Sequence, residues 1–422
     1  MTAEREAPMA DFIVSADGHY VEPTDLFVTR LPKHLRDLAV WEEDFEAPSL
    51  GGEAYPYFRK LHTPGFEGWT YMRYRHHDGT PQTGDPDRIL DDLDHEGIWA
   101  TLLHPNHALF GLYTHDHHEL SMAHARVYSD FVLEAFAPHR ARVFTTSPIP
   151  LSDVAEAVAE VERVAALGAR AIILPATSPV PYSSRTLDPL WAAARAHGML
   201  VAFHVATGGV KVSQEASPTL KGMMDAARTQ NHQVLDDDLL VDRLTGSAVM
   251  APIAPERIVV SLVGGGVLER FPELHFVLVE FNAHWLVSLM AAMDKAWTLG
   301  VGQCRDWWAG TWDDDRPADD QPGMAQLFRL NERWPYPLMP SEYVQRQIHV
   351  SFQEDPVAIA CRHVTGVSTL VWGADYPHAE GTFLHTRDAI DYQFHDVAPD
   401  ERSAILGGTL GGLLGVQVPV ST

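Results

Sequence analysis

Eight short apolar runs, each followed by a longer run with helical spacing, restrict this chain more than any other feature. They are Phe12–Ala16, Ala100–His104, Val143–Ser147, Ala171–Leu174, Leu200–His204, His275–Glu280, Gln347–Phe352 and Thr369–Trp372. Strands that run parallel need a crossover of a dozen or more residues between them, usually a helix. The alternation therefore specifies a parallel sheet covered by helices. Eight such repeats predict closure into an α/β barrel of the (β/α)8 (TIM barrel) type, with chemistry at the C-terminal ends of the strands.

The intervening runs support this. Ser152–Leu167 carries Val154, Val158, Val161 and Val164 on one stripe and opens on a serine suited to cap a helix. Asp188–His197 and Asp355–His363 have the same character, and Gly168, Gly198 and Gly366 mark helix ends shortly before the next strand. Three segments exceed the minimal repeat, at about 23–84, 206–256 and 300–343. They read as insertions in one barrel domain spanning residues 1–422, placed at the C-terminal face as a lid, a substrate wall or a subunit interface. Trp69, Tyr71, Trp307, Trp308 and Trp312 suit either an apolar pocket wall or the insertions' own cores.

With 45% hydrophobic residues the chain can bury a large core. Lys and Arg number 31 against 57 Asp and Glu, a formal charge of −26 that repels phosphate backbones and anionic lipid, so neither nucleic acid nor a membrane is an expected partner. Cys304 and Cys361 are too few for a disulfide framework and lack CxxC spacing. No basic-then-apolar leader opens the sequence and no apolar run reaches about 18 residues. A cytoplasmic location is the expectation.

Chemistry-bearing residues gather where strands end. The first strand runs into Asp17-Gly18-His19, and alternate residues of an extended chain share a face. The fifth ends in His204, and the eighth is followed by Trp372-Gly373-Ala374-Asp375-Tyr376-Pro377-His378. Alone, Asp17 could cap a turn and His19 sit as a satisfied interior histidine. Three strand ends with the same donor types instead predict a mixed N/O site over the barrel mouth, suited to zinc, iron or manganese rather than calcium.

On these residues the sequence resembles the amidohydrolase-related barrels that include aminocarboxymuconate-semialdehyde decarboxylase and aromatic-acid decarboxylases. The resemblance spans nearly the whole chain, and its strongest match is WGADYPHAEGTF, Trp372–Phe383. It implies a (β/α)8 fold and a divalent metal held by Asp17 and His19, where the family usually has HxH or ExH, with His204 and Asp375. Where decarboxylases of this family carry a histidine after strand six, this chain has Glu280, followed by Phe281-Asn282-Ala283-His284. The second strand ends in His104-Pro105-Asn106-His107, so His104, His107 and His284 are extra imidazoles that can face the mouth. Glu22 reads as a supporting carboxylate, while His115, His117 and His118, like His76 and His77, read as loop residues.

One ion needs about three protein ligands and an open position. Asp17, His19, His204 and Asp375 meet that need, leaving Glu280, His284 and His104 as a surplus that suits two metals. The favoured expectation is accordingly a di-iron monooxygenase that hydroxylates an apolar, terpenoid or carboxylated small molecule. It resembles the dioxygen-activating branch of the fold typified by the diterpenoid hydroxylase of platensimycin biosynthesis. Such an enzyme would need O2 and an external electron donor, since Gly264-Gly265-Gly266 opens no dinucleotide-binding turn. The alternative is a hydrolase or non-oxidative decarboxylase using one zinc or manganese, with Asp375 or Glu280 moving a proton. A non-enzymatic binding barrel leaves the strand-end residues unexplained. Large aromatic insertions at the mouth also suit a homodimer.

Overall fold

The computed structural model describes residues 11–45, 58–62, 69–106, 109, 117–205, 207, 253–301, 317 and 336–417. His107, His115, Trp307, Trp308, Trp312 and most of 206–256 and 300–343 lie outside the described residues, as do the side chains of Trp69 and Tyr71.

Twelve strands are present among the described residues: β1 (Val14–Ser15), β2 (His19–Tyr20), β3 (Trp41–Phe45), β4 (Phe58–His62), β5 (Trp69–Met72), β6 (Ala100–Pro105), β7 (Val143–Pro148), β8 (Ala171–Pro175), β9 (Leu200–His204), β10 (Phe276–Val279), β11 (Ile348–Phe352) and β12 (Leu370–Trp372). Eight form a parallel sheet in the order β1-β6-β7-β8-β9-β10-β11-β12. These are the eight runs expected from sequence, each within two residues at either end. The last strand returns to the first: Ala16 N–H donates to the Trp372 carbonyl at 2.9 Å, and Asp375 N–H to that of Asp17 at 3.0 Å. The result is a (β/α)8 barrel. Its strands read as continuous apolar runs because helices cover the sheet outside and side chains fill it inside, so residues of both faces are buried.

Helices occupy the expected intervals with local differences. The helix predicted from Ser152 spans Val154–Ala166, and its cap is Asp153, whose carboxylate accepts the Glu156 N–H at 3.0 Å. The apolar stripe buries Val161 and Val164, and also Glu160, which is held by Arg126 and Arg163. Gly168 follows with φ 96°, a left-handed backbone that favours glycine. Asp188–Ala196 matches its expectation, whereas Asp355–His363 is two short helices, Pro356–Ala360 and Arg362–Thr365, parted at Cys361.

The first insertion has structure of its own. β3, β4 and β5 make an antiparallel sheet, after which Tyr74–Gln82 turns back on itself through Gln82 N–H to Tyr74 O at 2.9 Å. The helix Pro86–Glu96 then leads into β6. No helix among the described residues is long and apolar enough to cross a membrane.

Candidate metal centre

The donors sit where β1, β9, β10 and β12 give way to loops. Ser15 pins two of these loops together, its hydroxyl donating to the Asp17 carbonyl at 2.8 Å and accepting the Ala374 N–H at 3.0 Å. At Gly373 a Cβ would lie 2.5 Å from that of Asp17, so a residue without one lets β12 exit this close to the first loop. Glu280 and Asp375 both adopt left-handed backbone, φ 63° and 54°. Such a conformation costs a non-glycine residue about 1–2 kcal/mol, and tertiary hydrogen bonds oppose that cost here. The Ser351 hydroxyl accepts the Glu280 N–H at 3.0 Å, and Asp17 O accepts that of Asp375.

Asp17, His19 and His204 offer one ligand atom each within 4.8 Å of one another, as do His19, Asp375 and His378, and likewise Asp17, Glu280 and Asp375. His19 Nε2 is 3.6 Å from Asp17 Oδ1 and 3.4 Å from Asp375 Oδ1. His204 Nε2 is 3.8 Å from Asp17 Oδ1 and 3.4 Å from Glu280 Oε2. The two Nε2 atoms are only 3.2 Å apart. Yet His19 Nδ1 is engaged with the Pro105 carbonyl at 2.9 Å and His204 Nδ1 with that of Val205 at 3.0 Å. In its neutral form each ring spends its proton on a carbonyl and turns a lone pair toward the other ring. Asp17 Oδ1 and both oxygens of Asp375 are buried without a hydrogen-bond donor among the described residues. Lone pairs and anionic oxygens crowded together without donors are the surroundings a cation satisfies.

The electrostatics of the bare protein express the same crowding. Burial, then the charge of Asp17, drives Asp375 well above the ordinary carboxylate range. Burial and the Asp375 charge push Glu280 up to about 8, opposed by His204. Burial and the neighbouring imidazoles of His378, His204 and His104 drive His19 well below 6.5. For His204 burial also opposes charge, but the carboxylates of Asp17 and Glu280 outweigh it and raise the group.

His378, three residues after Asp375, enters the group by a stack on His19, with ring centroids 4.1 Å apart and planes at 18°. Its Nδ1 lies 3.0 Å from Asp375 Oδ1, and its Nε2 2.9 Å from Asn106 Oδ1. Glu22 stands one step further out: its Oε1 accepts the Asn106 N–H at 2.9 Å, and burial raises it to about 8.

Two expected imidazoles do not converge. His104 is buried beside the cluster with both nitrogens engaged, Nδ1 with Thr146 Oγ1 at 3.1 Å and Nε2 with the Ala16 carbonyl at 3.2 Å. Burial lowers it to about 4, so it is a neutral strut with no spare lone pair. His284 begins the helix His284–Val301, half exposed, with its backbone N–H and Nδ1 on Asp355 Oδ2 at 2.9 and 3.0 Å. Among the described residues it belongs to none of the ligand groups. Of the presumed loop residues, His117 caps the helix His118–Ala135, while His76 and His77 bind the buried Asp92. Asn106, Tyr74, Asp92 and Gln353, whose Nε2 is 3.5 Å from Asp17 Oδ2, were not singled out from the sequence. Only Asn106 carried a signal, its place in the strand-end turn.

The amidohydrolase family model matches residues 74–409. The chain belongs to the amidohydrolase family. No curated protein sequence matches it. Among solved structures, an amidohydrolase from Mycobacterium avium subsp. paratuberculosis K-10 is similar over 97% of this chain and 99% of its own, with TM-score 0.63 and 19% identity. The 5-carboxyvanillate decarboxylase of Sphingomonas paucimobilis is similar over 96% and 99%, with TM-score 0.57 and 17% identity. A dihydroxybenzoic acid decarboxylase from Polaromonas sp. JS666, solved with bound manganese and the inhibitor 2-nitroresorcinol, is similar over 96% and 97%, with TM-score 0.55 and 14% identity. At these identities the likeness establishes a shared fold.

Proposed function

We propose that this chain is a one-metal enzyme that removes a carboxylate from a small carboxylated molecule without using dioxygen. The observation that carries the proposal is the pair of Nε2 atoms 3.2 Å apart, both rings having Nδ1 on a backbone carbonyl, beside three buried carboxylate oxygens that have no donor among the described residues. Asp17, His19, His204 and Asp375 would hold the ion. A mixed imidazole and carboxylate set suits zinc or manganese, and the Polaromonas decarboxylase of this fold was solved with manganese. When bound, the ion supplies positive charge that anchors the substrate carboxylate and draws electron density from it.

The chain's own residues supply orientation and the proton. The Pro105 and Val205 carbonyls fix the tautomers of His19 and His204. Glu280, 23% exposed, is the cluster carboxyl with most access to a substrate. In the bare protein burial and the Asp375 charge raise it to about 8. In decarboxylation the bond from carbon to carboxylate breaks, CO2 leaves, and Glu280 delivers a proton to the vacated carbon before regaining one from water. It stands after the sixth barrel strand, where the sequence resemblance led us to expect a histidine in decarboxylases.

Hydrolysis is the second reading, favoured by Asp375 and His378, whose unpartnered Oδ1 and Nδ1 face each other at 3.0 Å and could take a proton from water. The two-iron oxygenase finds less support, since His104 and His284, the imidazoles expected to complete a second site, are held by Ala16, Thr146 and Asp355 instead.

The test is metal analysis, then incubation of manganese-loaded protein with a panel of hydroxylated benzoates under strict exclusion of air, measuring CO2. About one ion per chain and anaerobic CO2 release are expected. Acid release from esters or amides without CO2 would move the enzyme to the hydrolases. Two irons per chain with substrate-dependent O2 uptake would reinstate the oxygenase.

A further inference from the structure

Asp92, on the helix Pro86–Glu96, is fully buried, yet nothing in the proposed reaction uses it. Its carboxylate accepts four hydrogen bonds, two on each oxygen. Oδ1 takes the backbone N–H and the ring Nδ1–H of His77, both at 2.8 Å. Oδ2 takes His76 Nδ1–H at 2.7 Å and the Tyr376 hydroxyl at 2.6 Å. The hydroxyl's direction is settled because Gln82 Nε2 donates to Tyr376 Oη at 2.8 Å, leaving the phenol proton for Asp92. Those hydrogen bonds outweigh burial and hold Asp92 below the ordinary carboxylate range.

Tyr376 directly follows Asp375, and its backbone is the seam between two ligand-bearing segments. Its carbonyl accepts the His19 N–H at 2.5 Å, and it pairs with Gly18 in a parallel bridge, while Asp375 N–H reaches the Asp17 carbonyl. The phenol is thus moored outside the cluster and the main chain inside it. The same carboxylate clamps the Tyr74–Gln82 turn through His76 and His77, and Tyr74 lies over His378 with centroids 5.3 Å apart and planes at 29°.

We propose that Asp92 is a positioning residue for the metal cluster, acting through Tyr376 to hold Asp375 and His19 in register and through His76 and His77 to seat Tyr74 over His378. The inference rests on the one-metal reading above. An asparagine at position 92 keeps one acceptor oxygen in place of two, so on its NH2 side the partners must lose the bond or reverse its direction. Tyr376→Phe removes the two hydrogen bonds of the phenol, to Asp92 and from Gln82, and keeps the ring.

The test measures Mn(II) affinity of the full-length protein after chelator treatment, reading free Mn(II) by its electron paramagnetic resonance signal. Glu160→Gln, in the Arg126–Glu160–Arg163 group away from the cluster, serves as a control for general destabilisation. Removal of partners that orient metal ligands typically weakens binding about 10–100-fold. We expect Asp92→Asn and Tyr376→Phe to fall by about 10-fold or more, with Glu160→Gln matching the wild type although its melting temperature drops. Wild-type affinity in Tyr376→Phe and in whatever Asp92→Asn folds would overturn the inference, as would equal weakening in all three variants. Absence of Mn(II) binding by the wild type itself would remove the parent reading too, and is distinguishable because it appears without any substitution.

Discussion

Glu280 and His284 are four positions apart, one in the loop after β10 and the other opening the helix that follows, and the structure treats them oppositely. Glu280 sits in left-handed backbone within reach of His204 Nε2, while His284 lies under the grip of Asp355. If Glu280 is the proton donor, Glu280→Gln lowers kcat by about 10²–10⁴-fold while the metal content of the purified protein stays that of the wild type. Loss of the ion would make Glu280 a ligand instead. His284→Ala should leave metal content and kcat unchanged, lowering stability by about 1 kcal/mol for the lost side-chain hydrogen bond. Metal analysis and steady-state kinetics on the two variants separate these roles.

At the scale of elements, Asp355 joins the loop after β11 to two helices. Oδ2 accepts the Ala283 and His284 N–H groups at 2.8 and 2.9 Å where His284–Val301 begins, and Oδ1 accepts the Ala358 N–H at 2.9 Å as the cap of Pro356–Ala360. One carboxylate therefore satisfies orphan donors at two helix N-termini. Each cap of this kind is worth about 1 kcal/mol, and stranding buried donors adds to the loss. Asp355→Ala should lower unfolding free energy by about 2–4 kcal/mol, seen as a lower urea midpoint with an unchanged slope. A loss below about 0.5 kcal/mol, the lower end for one cap, would show that water replaces it.

For the whole molecule, buried imidazoles contribute stability that is lost in mild acid, opposed by buried carboxyls such as Glu22 and Glu280, whose raised proton affinity favours the fold as pH falls. His349 is buried, donating through Nδ1 to the Ser368 carbonyl at 2.7 Å and accepting through Nε2 from His275 at 3.0 Å. His124 is buried with Nδ1 on the Leu120 carbonyl and Nε2 accepting the Val40 N–H. Burial lowers both to about 4, against about 6.5 in an unfolded chain. Between those values the unfolded state holds more protons on these two rings, so their contribution is full above pH 6.5 and declines as pH falls toward 4. The loss is about 3 kcal/mol per ring. His349→Asn keeps a donor for Ser368 without a titrating ring, so its urea midpoint should fall less steeply between pH 6.5 and 4.5 than that of the wild type. Parallel curves would show that His349 is not a source of the acid sensitivity.

Local pattern by itself determined the eight barrel strands, and with them the placing of Asp17, His19, His204, Glu280 and Asp375 at strand ends, because alternation of buried strand and amphipathic helix is written within a few residues of each element. The sheet β3–β5 escaped notice since runs such as Trp41–Phe45, WEEDF, lack apolar alternation. Only the tertiary structure decided which side chains share one space. His104 and His378 are alike as sequence, but backbone carbonyls and hydroxyls claim the first and a stack on His19 admits the second. Asp92 reaches Tyr376 across 284 positions, a distance no spacing rule spans. Hydrogen bonds between loops choose among chemically equivalent donors, and that competition is settled only when the barrel closes and brings the loops together.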